Sequence, residues 1–171
     1  MWTRMLATAL MFGTIAATGS LAWSDEDEAT GAAVAKYLPS AKVTLQQGLA
    51  AAESQGQPIS GKFEVDGGHF QLSVYTAQDG KFSEVLVDHA TGKVAKSEAI
   101  TGGDDLADAK KQMAACAKSK KPLKAAVDAA EQSSAGYRAV SVAPELSNGH
   151  AVAVVMLLKG AEVKSVSEPL E

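Results

Sequence analysis

Two stretches of this chain repeat one another at a nearly fixed distance. Leu45-Gln-Gln-Gly-Leu49-Ala-Ala-Ala-Glu53 has its counterpart in Leu123-Lys-Ala-Ala-Val127-Asp-Ala-Ala-Glu131, with apolar positions, paired alanines and the glutamate coinciding. Gly68-His69 and the apolar run after it return as Gly149-His150, Gly80 returns as Gly160, and Val85 to Asp88 aligns with Ser165 to Glu168. The offsets are 78, 81, 80 and 80 residues, in one order. Ala-rich helices often match by chance, but colinear blocks at constant spacing indicate duplication of one supersecondary unit. The chain is therefore expected to be α+β: two tandem modules, each a helix packed on a small antiparallel meander.

Local patterns fill in each unit. Thr44 and Gln47 form a capping-box pattern ahead of Leu45, Leu49 and Ala52, and the helix should stop before Gly56 and Pro58. A short strand is expected over Lys62 to Val65, a turn at Asp66-Gly67-Gly68, then a strand in which Phe70, Leu72 and Val74 alternate with Gln71, Ser73 and Tyr75. Asp79-Gly80 reads as a second hairpin turn, followed by a strand over Phe82 to Asp88, a turn at Ala90 to Lys93 and a short edge strand. The second copy opens with Pro122, suited to a first helical turn, and continues through strands at Tyr137–Val142, His150–Leu158 and Glu162–Val166. Its middle strand is continuously apolar, which predicts burial on both faces near the centre of the protein. Further helices are expected over Ala29 to Leu38 and, capped by Asp104, over Asp105 to Lys118.

The N-terminus sets the compartment. Arg4 precedes an apolar run from Met5 to Ala17, and Ala22-Trp23-Ser24 stands before Asp25 to Glu28. This is the order of a secretory signal, with cleavage expected after Ser24 and after Ala22 as second choice. The apolar run is short for a membrane span, so no span is expected after cleavage. The division is then a signal peptide at 1–24, a helical lead-in at 25–43, a first module at 44–97, and a linker, helix and degenerate second module at 98–171. The expected location is periplasmic or secreted. A formal net charge of -4 offers no basic field for a phosphate backbone, which disfavours nucleic acid.

Residues with chemical potential are few. Cys116 is the one cysteine, so no internal disulfide forms; it reads as a small buried helix residue or, alternatively, as an intermolecular or reactive thiol. His69, His89 and His150 show no ligand spacing on a helix, and no nucleophile elbow or phosphate-binding glycine loop is present, so neither cofactor, metal nor catalytic residues are assigned. Lys118, Lys120, Lys121 and Lys124 read as a solvated helix start.

The run Val85-Leu86-Val87-Asp88-His89-Ala90-Thr91-Gly92-Lys93-Val94, placed after a helix, a glycine turn and alternating strands, resembles the PepSY domain family. The resemblance covers about residues 42–95; the second copy lacks the Thr-Gly-Lys turn and the strand beyond it. It implies a helix on an antiparallel meander and a role in inhibiting or regulating peptidases, with no catalytic residue to carry over. The expected function is thus an exported non-catalytic binding module for a peptidase or other envelope protein, the alternative being a periplasmic sensor of a small ligand or metal. Gln71, Ser73 and Tyr75 are expected to form an open, polar sheet face that meets the partner, with Tyr75 as its anchor.

Overall fold

The computed structural model describes residues 25–171. The signal-peptide expectation for 1–24 lies outside the described residues. Among those described, no helix is long and apolar enough to cross a membrane.

Four helices and seven strands follow in the order α1 (Asp25–Tyr37), α2 (Leu45–Ala52), β1 (Gln57–Asp66), β2 (His69–Gln78), β3 (Lys81–Val87), β4 (Val94–Ile100), α3 (Gly103–Cys116), α4 (Leu123–Gln132), β5 (Arg138–Ser147), β6 (His150–Lys159) and β7 (Glu162–Pro169). The strands make a single antiparallel sheet in the order β4-β3-β2-β1-β5-β6-β7. The two meanders join where Gly61 faces Val142 and Lys62 faces Ser141. The central strand is therefore β1. The apolar β6, expected near the centre, is next to the edge, and its Val152, Val154 and Met156 stay half-buried. Continuous apolarity reflected two partly covered faces rather than a central place in the sheet.

The first face of the sheet is dry. Leu45, Leu49 and Ala52 of α2, with Leu123, Ala126, Val127 and Ala130 of α4, pack on Phe63, Leu72, Val74, Val85, Val142, Ala153, Val155 and Leu157. The capping box is formed: the Gln47 N–H donates to Thr44 Oγ1 at 3.2 Å and the Thr44 N–H to Gln47 Oε1 at 2.8 Å. Gly48 brings α2 down onto β2, since a Cβ there would collide with Leu72 Cδ2. Gln46 ties the two helices together, donating to Asp128 at 3.1 Å and to Glu131 at 2.7 Å.

The second face carries α3. Leu106, Ala109, Met113 and Cys116, spaced three and four apart, lie on Ile59, Tyr75, Ala77, Phe82 and Ile100. Asp104, expected to cap this helix, sits within its first turn instead, and Gly102 occupies the cap with no side-chain bond. Strand β1 begins five residues earlier than Lys62, and its register shifts between Pro58 and Ser60. That bulge turns both Ile59 and Ser60 toward α3: Ile59 joins its apolar cluster and the Ser60 hydroxyl donates to Gln112 at 2.7 Å.

The lead-in is fastened by Arg138, which sequence reading did not single out. Its guanidinium donates to the carbonyls of Leu38 at 3.1 Å, Ala41 at 3.3 Å and Val43 at 2.7 Å, and lies 5.5 Å from the Phe63 ring centroid.

Candidate functional site

Strand alternation sends Gln71, Ser73 and Tyr75 to the second face together, as expected, but α3 and their neighbours cover much of them. Ser73 is 0% exposed, and Gln71 and Tyr75 are half-buried. Tyr75 packs against the apolar cluster under α3. The helix expected over Asp105 to Lys118, ahead of the second module, is what closes this face, so Tyr75 is a packing residue here and not an open anchor.

Around these three residues the antiparallel register assembles a polar strip. Lys62 faces Ser73, Glu64 faces Gln71, and Tyr75 faces Glu84. The Glu64 carboxylate collects three donors: Lys62 Nζ at 2.7 Å, the Ser73 hydroxyl at 2.6 Å and Gln71 Nε2 at 3.2 Å. Burial works against its charge, but Lys62, Ser73 and Gln71 outweigh burial and hold its pKa below the ordinary value. Glu84 stands in the opposite condition. Burial, reinforced by the Glu64 charge, raises its pKa. Ser73 has one hydroxyl proton and gives it to Glu64, so it cannot also serve Glu84. Among the described residues Glu84 makes no ion pair. Burial and the charges of Glu84 and Glu64 likewise raise the Tyr75 phenol, which stays protonated at neutral pH.

Paired carboxylates with opposed shifts are one arrangement that acid–base chemistry uses. Among the described residues, cavities of about 460 and 270 Å³ lie elsewhere and are lined by none of the strip's residues. One of the strip's two carboxylates is saturated with donors, and the other makes no ion pair among the described residues.

The remaining candidates are placed separately. His69 and His150 are exposed at the starts of β2 and β6. His150 Nδ1 lies 2.9 Å from Glu171 Oε2. His89 sits against Phe70 with ring centroids 4.9 Å apart. Among the described residues, no group of three or more His, Cys, Asp or Glu is arranged to hold a metal ion. Cys116 is buried, and burial pushes its thiol up to about 11, which leaves little thiolate at neutral pH.

The run from Val85 to Val94 is a turn device. Asp88 Oδ1 accepts from the N–H of Ala90 at 3.0 Å and of Thr91 at 2.7 Å, and from the Thr91 hydroxyl at 2.8 Å. These bonds, the Thr91 ones foremost, hold the Asp88 carboxyl below its ordinary range. Gly92 closes the loop at φ 74°. Most of these bonds connect β3 to β4, while the His89 carbonyl accepts from the N–H groups of Lys42 at 2.9 Å and Val43 at 3.2 Å and ties the turn to the segment before α2.

Lys62, Glu64 and Glu84 were not singled out from sequence. Lys62 and Glu64 stand two apart in a strand, which signals a shared face; that β2 and β3 would complete the strip depended on strand register. No family model, curated protein or solved structure matches this chain.

Proposed function

We propose that this chain is an exported, non-catalytic binding module made of two copies of a PepSY-like unit, and that it regulates a peptidase or another envelope protein by docking a basic side chain on the strip beside α3. The observation that carries the reading is Glu84, a half-buried carboxylate with no ion pair among the described residues, next to a Glu64 that Lys62, Ser73 and Gln71 serve; burial outweighs what Ser73 and Lys62 offer Glu84. A Lys or Arg from a partner would supply the missing donors and be favoured by both charges. The high pKa of Cys116 favours the non-catalytic reading.

Several features support two copies of one unit. Both β1 and β5 shift register early in the strand, between Pro58 and Ser60 and between Ala139 and Ser141. Both following hairpins turn through two positive-φ residues, Gly67-Gly68 at 54° and 83° and Asn148-Gly149 at 52° and 84°. Helices α2 and α4 lie on the same face. Export rests on the pattern of residues 1–24.

The test is site-specific photocrosslinking in envelope extract, with the reactive group at Glu98, which faces Glu84 across β3 and β4. A discrete adduct is expected, and Glu84→Lys should abolish it while leaving the melting temperature within a few degrees. The same adduct in Glu84→Lys, or none from the native surface, would overturn docking at this strip. Intact mass of secreted material beginning at Asp25 checks export.

A further inference from the structure

A second feature of the molecule shares no residue with that strip. The end of α2, the start of β1 and the connection from α3 to α4 border an open cavity of about 460 Å³. That size falls within the range of small-ligand pockets, roughly 300–1,000 Å³. Its floor is apolar, built from Leu49, Leu123 and Cys116, all buried, with Pro58 and Pro122 beside them. Its rim carries Lys120, Lys121 and Lys124 against a single acid, Glu53.

These ammonium groups are not equivalent. Lys124 is paired with Asp128 at 2.8 Å, so its charge is largely spent. Lys121 Nζ donates to the Pro169 carbonyl at 3.2 Å, a neutral acceptor that leaves its charge uncompensated. Lys120 makes no ion pair among the described residues, although its charge reaches the Glu171 carboxylate and helps to lower that group's pKa. The loop that bears them is fixed in place: the N–H groups of Lys120 and Lys121 both donate to the Leu170 carbonyl, at 2.7 and 3.0 Å. The cavity is therefore formed before any ligand arrives, which spares the ligand an ordering cost.

We propose that this cavity binds an amphipathic monocarboxylate, the carboxylate held by Lys120 and Lys121 and a short apolar body lying on Leu49, Leu123 and Cys116. Lys120 and Lys121, neither of them ion-paired among the described residues, outnumber the one acid of the rim, Glu53, while the floor of Leu49, Leu123 and Cys116 is apolar. The same chemistry is presented by the free C-terminus of a peptide ending in an apolar residue and by a medium-chain fatty acid.

The chain supplies its own reporter, since Cys116 lines the cavity and is the only cysteine in the sequence. Maleimide labelling of the full mature chain would be timed with N-acetyl-Leu-Leu, with its C-terminal amide, and with octanoate. Backbone amide shifts of 119–124 would be followed in parallel, so that slow labelling of the buried thiol does not limit the experiment. An acid probe at ten times its dissociation constant should slow labelling by about tenfold. The amide should neither protect nor shift those signals. Lys120→Gln with Lys121→Gln should raise the acid's midpoint by about tenfold or more, the loss expected for removing charged hydrogen-bond partners. Protection by the peptide acid alone, or by octanoate alone, assigns the source and supports the site in either case. The proposal is overturned if acid and amide act alike, if the double variant behaves as the parent, or if no acid shifts these amides at about 1 mM. Because these lysines lie outside the Glu84 strip, failure here leaves the crosslinking result standing, and the reverse also holds.

Discussion

The two faces of the sheet are held by different physics. The first is closed by two helices over side chains that are almost wholly withdrawn from water, Leu45, Leu72, Val85, Val127 and Val155 all at 0% exposure. Its stability comes from area and close packing, which no single polar contact could replace. The second face has one helix, a smaller apolar cluster and a strip in which Lys62, Glu64, Gln71 and Ser73 satisfy one another. Such a network contributes less net energy than burial but demands geometry, and it leaves Glu84 outside it. A face built from area has little to offer a partner. A face built from directed bonds has a vacancy where one donor is missing.

The sharpest break between the faces should appear at Leu72. Leu72→Ala removes a fully buried side chain beneath α2 and is expected to cost about 2–5 kcal/mol by urea denaturation. Gly48→Ala alone is expected to cost about 1–3 kcal/mol, because its new methyl meets Leu72. Combined with Leu72→Ala the glycine replacement should become neutral or stabilising, since the methyl then fills the vacated space. Additive losses would show that α2 and β2 are not in close contact.

Tyr75→Ala comes next. For a half-buried ring under α3, about 2 kcal/mol is expected, below the full range for buried aromatics. An unchanged melting temperature would mean that α3 does not cover this face, and would restore Tyr75 as an exposed contact. Glu64→Gln should cost about 1–2 kcal/mol, because Lys62 loses its ion-pair partner.

The smallest effect is the most diagnostic. Glu84 has a folded-state pKa raised above its ordinary value of 4.5, so the folded chain keeps that proton to higher pH than the unfolded chain. Its contribution to stability is present below pH 4.5 and is lost as pH rises through the raised value. Glu64 runs the other way: with its pKa depressed, its contribution is present above 4.5 and is lost as pH falls through the depressed value. Glu84→Gln should therefore make the chain slightly more stable at pH 7 and leave it unchanged at pH 4, whereas Glu64→Gln should destabilise at pH 7 and progressively less toward acid. Urea midpoints at the two pH values, at one ionic strength, separate the cases. Parallel pH profiles for the two variants would remove the contrast on which the Glu84 reading stands.

Much of the local structure was legible because its causes are local. Thr44 and Gln47 fall within one turn, so the capping box follows from residue spacing and forms as expected. Strand alternation placed Leu72 and Val74 beneath a helix and Gln71, Ser73 and Tyr75 opposite, and the structure keeps that division. The bonds that Asp88 makes in the β3–β4 turn likewise lie within a few residues. Less legible were the start of β1, where a bulge interrupts the two-residue period, and the end of β5, expected at Val142 and reached at Ser147.

What the sequence determined by itself is the set of elements, their order and the side of each strand that is apolar. These depend on contacts a few residues apart and on side-chain periods set by backbone geometry. Only the tertiary structure decided that the two meanders share one sheet through β1 and β5, that α3 folds over the second face, and that Glu64 rather than Glu84 receives the Ser73 proton. Each of these joins residues from different elements. Their pairing is selected by how whole surfaces fit, and many such pairings satisfy the same hydrophobic pattern. The candidate site belongs to this second category: its residues were all visible in the chain, but the charge imbalance that distinguishes Glu84 exists only once β1, β2 and β3 stand in register.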